Sequence, residues 1–187
     1  MGPVLLKARK SLLRNQLRRV LRAIPVSSRK KKSEKIVGRV LRSSFFRKAQ
    51  NLMIYISFGA EVETHGLVMK ALSLSKKVFI PCVDSKRRVL KAVRLHQWKG
   101  LTKGPYGILE PRDKDSKVRP QSLDLVVVPG LAFTRRGDRL GRGAGYFDRF
   151  LKRVPKADKV GLAFREQIRR SIPTGPRDVR LDRVIMD

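Results

Sequence analysis

Leu123-Asp124-Leu125-Val126-Val127-Val128-Pro129-Gly130 is a run of branched apolar side chains interrupted by one acid and stopped by Pro-Gly. A strand with one wet face alternates apolar and polar residues, whereas this run is apolar at nearly every position, the pattern of a strand covered on both faces. Such strands belong to parallel sheets sandwiched between helices. Downstream, a glycine-studded loop leads to a helix over about Tyr146–Arg153 that Pro155 closes. A strand over Val160–Phe164, a short helix near Glu166–Arg170 and a last strand near Arg183–Met186 follow.

Upstream, the same alternation holds. Leu13, Leu17, Val20, Leu21 and Ile24 recur at helical spacing, so the segment from about Lys7 to Ile24 reads as a helix that ends at Pro25. A second helix is expected from a Ser27 or Ser28 cap through Ile36, Val37, Val40 and Leu41. Leu52–Ile56 and Val78–Val83 read as strands, with a helix between them that Thr64 can cap. Val89–Leu95 is a further strand toward a sheet edge, and residues 99–122, rich in Gly, Pro, Lys and Asp, read as loop. The expectation is an α/β chain, one domain over residues 1–187, with a mainly parallel, mixed sheet flanked by helices in a Rossmann-like three-layer arrangement.

Charge is the compositional anomaly: 45 Lys plus Arg against 15 Asp plus Glu give +30 on 187 residues. Residues 1–48 hold 16 of those cations and one acid, Glu34. The hydrophobic content, 41%, lies in the globular range and disfavours a disordered basic tail. Cys82, the only cysteine, cannot close an internal disulfide and lies in an apolar run, which suits a reducing compartment. No stretch approaches the roughly 18 apolar residues of a membrane span, so no membrane partner is expected.

Chemistry concentrates in Gly137-Asp138-Arg139-Leu140-Gly141-Arg142-Gly143-Ala144-Gly145-Tyr146-Phe147-Asp148. Glycines at 141, 143 and 145 let backbone approach an anion and turn N–H groups toward it, at the start of a helix. Arg139 and Arg142 offer guanidinium forks for phosphate, and Asp148 a hard oxygen for the magnesium that accompanies a nucleotide triphosphate. The loop lacks the GxxxxGK[ST] of a Walker motif, and it lies too far from its strand for a dinucleotide fingerprint. Glycines alone would equally suit a tight turn.

The run from Pro129 to Leu151, PGLAFTRRGDRLGRGAGYFDRFL, resembles the signature of the 5-formyltetrahydrofolate cyclo-ligase (5,10-methenyltetrahydrofolate synthetase) family. The resemblance extends through Lys10-Ser-Leu-Leu-Arg14, Glu61-Val62-Glu63-Thr64, Gly107-Ile108-Leu109-Glu110-Pro111, Leu162 to Gln167 and Arg177-Asp178-Val179. It implies an ATP- and Mg2+-dependent cyclisation of 5-formyltetrahydrofolate. In that reaction the formyl oxygen attacks the γ-phosphate, N10 attacks the resulting iminium phosphate, and 5,10-methenyltetrahydrofolate, ADP and phosphate are released.

By the same resemblance, Lys10 and Arg14, with Arg139, Leu140, Gly141, Arg142, Gly143, Ala144, Gly145, Tyr146 and Phe147, match ATP-binding positions. Arg142 and Lys10 are the candidate catalytic cations. Ile56, Glu61 and the stretch Arg142, Gly143, Ala144, Gly145 and Tyr146 match the folate side, and Asp148 and Asp178 match magnesium positions. Phe147 stands where many relatives have tyrosine, and Arg177 where a small or imidazole side chain is common. The stretch from Asp84 to Leu95 lacks a methionine often found on the folate side.

Each assignment has a plainer rival. Lys10 and Arg14 could be solvated surface, Glu61 a surface acid, Thr64 a cap, Ile56 core, and Asp148 a partner of Arg149 or Lys152 on its own helix. His65 and His96 lack a ligand set for zinc, and Trp98 suits packing. The charge motivates an alternative function, a basic nucleic-acid-binding protein. With 6% aromatic residues and none interleaved among the basic runs, a base-stacking platform is poorly supported. The enzyme is the favoured reading, with nonspecific polyanion association beside it and a monomer as the expected state. Only nine residues precede Lys10, short for a removable presequence, so the expected location is cytoplasmic.

Overall fold

The computed structural model describes residues 2–104, 109–112 and 118–187. A six-stranded sheet runs through its centre in the order β10-β9-β6-β1-β2-β3. These strands are β1 (Asn51–Ile54), β2 (Lys77–Asp84), β3 (Val89–Leu95), β6 (Leu125–Val128), β9 (Asp158–Ala163) and β10 (Arg183–Met186). Four neighbouring pairs are parallel and only the β2–β3 hairpin is antiparallel, with β3 at the edge. This is the expected mainly parallel, mixed sheet.

The unbroken apolar run of β6 is explained by two cores. Leu125 and Val127 join Leu52, Ile54, Val78, Ile80 and Val160 on one face, where α1 (Pro3–Ala23), α2 (Val26–Arg42), α3 (Ser44–Lys48) and α4 (His65–Ser73) supply Leu17, Leu21, Ile36, Val40, Phe46, Leu67 and Val68. Val126 and Val128 join Met53, Phe79 and Ala92 on the other, against Phe150 and Leu151 of α5 (Tyr146–Leu151). Successive side chains point to opposite faces, so both must be apolar. Asp124, the one acid in the run, serves alignment: its Oδ2 accepts the Gln50 and Asn51 N–H groups at 2.9 and 2.8 Å, locking β6 beside β1.

Several boundaries differ from the expectation. α1 begins at Pro3, because proline lacks the N–H that a first-turn residue leaves unpaired anyway. Neither Ser27 nor Ser28 caps α2. Pro25 holds that position, its carbonyl accepting the Arg29 N–H at 2.9 Å, and the pre-proline Ile24 is extended, so one proline separates both helices. Thr64 occupies the cap position of α4 without capping it, its hydroxyl being used elsewhere. α3, five residues capped by the Ser43 hydroxyl on Phe46 N–H, was not anticipated.

Within 99–122 the described residues are not all loop. β4 (Leu101–Lys103) and β5 (Leu109–Pro111) pair antiparallel. Gly107 and Ile108, part of the motif there, lie outside the described residues. A second ribbon, β7 (Ala132–Phe133) with β8 (Arg139–Leu140), sits inside the glycine-rich stretch. Both are too short for a period to register. Near Glu166–Arg170 the chain makes a single 3-10 turn, Arg165–Gln167. Cys82 is buried, and among the described residues no helix is long and apolar enough to cross a membrane.

Candidate active site

Among the parallel strands the chain order is β2-β1-β6-β9-β10, so the winding direction reverses between β1 and β6. At such a reversal the connections leave neighbouring strands in opposite directions and open a crevice at the carboxyl ends. The loops that leave β1 and β6 hold the residues singled out in the sequence. α1 and the segment after β9 complete the surround.

The loop after β6 first folds back as the β7–β8 ribbon. Thr134 Oγ1 donates to Asp138 Oδ2 at 2.8 Å, and Gly137 turns with φ +95° where a Cβ would lie 2.1 Å from the Leu181 carbonyl oxygen. That ribbon places Arg139, with Leu140 packed in the core. The Arg139 guanidinium, only 3% exposed, donates to Asp148 Oδ1 at 2.8 Å and to the Pro129 carbonyl at 3.2 Å, over the Phe147 ring. Its Nε is buried with no partner among the described residues. Arg139 thus stands behind the loop, and Asp148 pairs with it rather than with Arg149 or Lys152.

The glycines come next. Arg14 donates from Nε to the Gly141 carbonyl at 2.9 Å. Gly143, at φ +118°, lies close beneath the same guanidinium, where a Cβ would be 3.4 Å from Arg14 Cζ. Lys10, one turn earlier on α1, donates to Asp178 Oδ2 at 2.5 Å, and Gly175 N–H reaches the same oxygen at 2.7 Å. Lys10 and Arg14 thus stand one turn apart on α1, Arg14 turned to the glycine loop and Lys10 to Asp178. Burial, with Arg18 nearby, lowers the pKa of Arg14, and Asp178 opposes that shift.

Opposite stands the loop after β1. Glu61 accepts the Phe58 N–H on Oε2 at 3.0 Å and Arg142 on Oε1 at 2.7 Å, while the Arg142 guanidinium sits over the Phe58 ring. Arg142 is 55% exposed, so the bridge faces solvent. Thr64 fixes this loop: its buried hydroxyl donates to the Tyr55 carbonyl at 2.5 Å and accepts the Ser57 N–H at 3.1 Å. Tyr55 is buried too, donating to the Val62 carbonyl at 3.1 Å. Burial, with Glu61 adding to it, raises its phenol pKa well above the ordinary value. Ile56 is a core residue at 5% exposure.

Asp148 and Asp178 lie on adjoining segments, since Val179 N–H donates to Asp148 Oδ1 at 3.2 Å. A cleft of about 190 Å3 opens beside them, lined by Asp138, Arg139, Thr174, Gly175, Asp178 and Arg180 among others. Among the described residues no three His, Cys, Asp or Glu side chains group as metal ligands, and His65 packs its ring 5.0 Å from Trp98. The crevice therefore offers a carboxylate and an arginine on one wall and two cations of α1 on another. The glycine loop lies between them. Sequence reading missed Thr64's anchoring role, since a threonine before a helix looks like a cap whatever it binds. It also missed Arg149, considered only as a partner for Asp148.

A family model described as the 5-formyltetrahydrofolate cyclo-ligase family matches residues 6–187. A Caenorhabditis elegans protein named probable 5-formyltetrahydrofolate cyclo-ligase is 34% identical over 194 residues, 97% of this chain and 94% of that protein. An Arabidopsis thaliana protein named 5-formyltetrahydrofolate cyclo-ligase, mitochondrial, is 32% identical, covering 94% of this chain and 73% of its own. The solved structure of Aquifex aeolicus 5,10-methenyltetrahydrofolate synthetase superposes with a TM-score of 0.84 at 32% identity, covering 94% of this chain and 88% of that one.

Proposed function

The chain belongs to the 5-formyltetrahydrofolate cyclo-ligase family, and from that premise we propose that it closes 5-formyltetrahydrofolate to 5,10-methenyltetrahydrofolate in an ATP- and Mg2+-dependent reaction. The observation that supports this best is the convergence of Lys10, Arg14, Arg142, Glu61, Asp148 and Asp178 on one glycine loop at the sheet's reversal point.

In the proposed sequence the formyl oxygen takes the γ-phosphoryl group of ATP and ADP leaves. N10 then adds to the formyl-derived carbon, the C–O bond to phosphate breaks, and inorganic phosphate departs with the proton that N10 gives up. Phosphoryl transfer of this kind asks the protein for positioning and for cations to absorb charge. Lys10 and Arg14 hold the phosphate chain from α1, and Gly141, Gly143, Ala144 and Gly145 let the backbone approach it. Arg142, released from Glu61, reaches the transferring group from the loop's solvent side. Glu61, freed by the same exchange, accepts the donor edge of the pterin. The exposed Glu61–Arg142 bridge is weak, so substrates break it at little cost.

Arg139 and Phe147 act from behind the loop, and Ile56 backs the folate side from the core. Asp148 and Asp178 would hold magnesium. Their bonds fall on Oδ1 of one and Oδ2 of the other, and among the described residues no hydrogen bond reaches the second oxygen of either. Mg2+ is commonly held by one or two carboxylates with phosphate oxygens completing its shell, so the donor set fits. When bound, the ion would neutralise charge on the phosphates.

One domain over 1–187, a monomeric state and a cytoplasmic location accompany this reading. Cell fractionation decides the location. The charge supports a second property, nonspecific association with polyanions, rather than a nucleic-acid-binding role in place of catalysis. Incubating the protein with 5-formyltetrahydrofolate and Mg-ATP is expected to raise the methenyl absorbance with matching release of ADP. ADP release that does not depend on folate would overturn the proposal.

A further inference from the structure

Arg149 lies on the exposed side of α5 and makes two contacts that no phosphate-binding role requires. One guanidinium nitrogen donates to the Ala144 carbonyl at 3.2 Å, and the other donates to the Arg88 carbonyl at 3.1 Å. The guanidinium also stacks over Tyr146, 5.1 Å from the ring centroid. Ala144 sits between Gly143 and Gly145, both at positive φ, and Arg88 is one of two non-glycine residues at positive φ among the described residues, in the turn between β2 and β3. The fork therefore spans two turns that have no covalent reason to keep a fixed distance.

The loop carbonyls are pinned from two directions. Arg14 holds the Gly141 carbonyl from α1, and Arg149 holds the Ala144 carbonyl from α5. A peptide plane whose carbonyl is held also has its N–H direction set, because the two groups point opposite ways across one rigid unit. Gly145 leaves room for this arm, since a Cβ there would stand 3.0 Å from the Arg149 nitrogen. Lysine could reach one carbonyl but has no planar fork to hold both.

We infer that Arg149 is a positioning residue for the proposed nucleotide loop, setting its backbone through Ala144 and coupling it to the β2–β3 turn through Arg88. The role rests on the ATP-dependent reading for its kinetic consequence, but not for its structural one. Two measurements on the full chain therefore test it. In ligand-free protein, R149A is expected to speed amide hydrogen exchange about tenfold both at 141–146 and at 85–88, with R149K recovering less than half of the protection. In turnover assays, R149A is expected to raise the KM for ATP about tenfold, with the melting temperature kept within a few degrees.

Exchange unchanged in both segments, full rescue by R149K, or an unchanged KM for ATP would each overturn the inference. Faster exchange in both segments from a protein with no ATP-dependent turnover would uphold the latch and overturn the reaction instead.

Discussion

Asp148 pairs with the buried Arg139 through Oδ1 and is proposed to hold magnesium, and its substitution separates those duties. Asp148→Ala leaves a nearly fully buried guanidinium unpaired, which costs about 3–5 kcal/mol. Asp148→Asn keeps an acceptor for Arg139 and loses less stability. Both variants are expected to lose turnover by orders of magnitude, but only the alanine variant should show a large shift in urea midpoint. Arg142→Ala, whose side chain is half exposed, should lower turnover by roughly 10²–10³ with an unchanged midpoint. Tyr55 predicts a pH effect. Its folded pKa is raised by burial, so the folded state keeps the proton after the unfolded chain has lost it near pH 10. Stability is then level below about pH 10 and falls as pH climbs toward the folded pKa. Tyr55→Phe, followed by denaturation at rising pH, should flatten that decline. At this scale residue types were legible and their directions were not. Arg139 has the chemistry of a phosphate fork, but the ribbon that turns it inward is two residues per strand, too short to leave a pattern in sequence.

Elements carry the loop geometry that the crevice needs. Thr64 ties both ends of the loop after β1. Thr64→Ala strands the buried Tyr55 carbonyl and the half-buried Ser57 N–H, and should cost about 1–3 kcal/mol while raising the KM for folate. Thr64→Ser should recover most of the stability in the same denaturation experiment. Gly137 is the corresponding point in the loop after β6. Gly137→Ala meets the Leu181 carbonyl at an impossible distance and a positive φ, so a loss of about 3 kcal/mol or more is expected. Long helices and both-faces-buried strands were readable because many residues repeat one period. The β4–β5 and β7–β8 ribbons were not, because they are set by what lies across from them, and the short helix expected near Glu166–Arg170 is a single 3-10 turn. The proline between α1 and α2 was read correctly as a stop. Its second use as the start of α2 depends on its carbonyl, which every residue has.

At the scale of the whole molecule, the sheet order places the crevice, and no local signal encodes that order. It follows from which strands pair: the α/β alternation and the edge position of β3 were legible, the order of the five parallel strands was not. The surplus charge is legible but largely independent of the fold. Lys7, Arg18, Arg19 and Arg22 on α1 and Lys30, Lys31, Lys35 and Arg42 on α2 are exposed, with Glu34 the one acid of these helices. Binding of this surface to a phosphate polymer should weaken linearly in log affinity against log salt. Titrating a labelled oligonucleotide at several ionic strengths checks this. A salt-independent affinity would contradict a backbone-driven contact.

The bridge between Lys10 and Asp178 joins residues 168 positions apart. At roughly 5–20 residues per second, a ribosome delivers the second partner about ten to thirty seconds after the first. During that interval Lys10 and Arg14 are already on a helix that Leu17 and Leu21 can begin to pack, but the loop carbonyl at Gly141 arrives only late in it and the carboxylate at Asp178 only at its end. A nascent chain can therefore build much of one core before it owns an anion site. Substrate capture is among the last properties to arrive during synthesis.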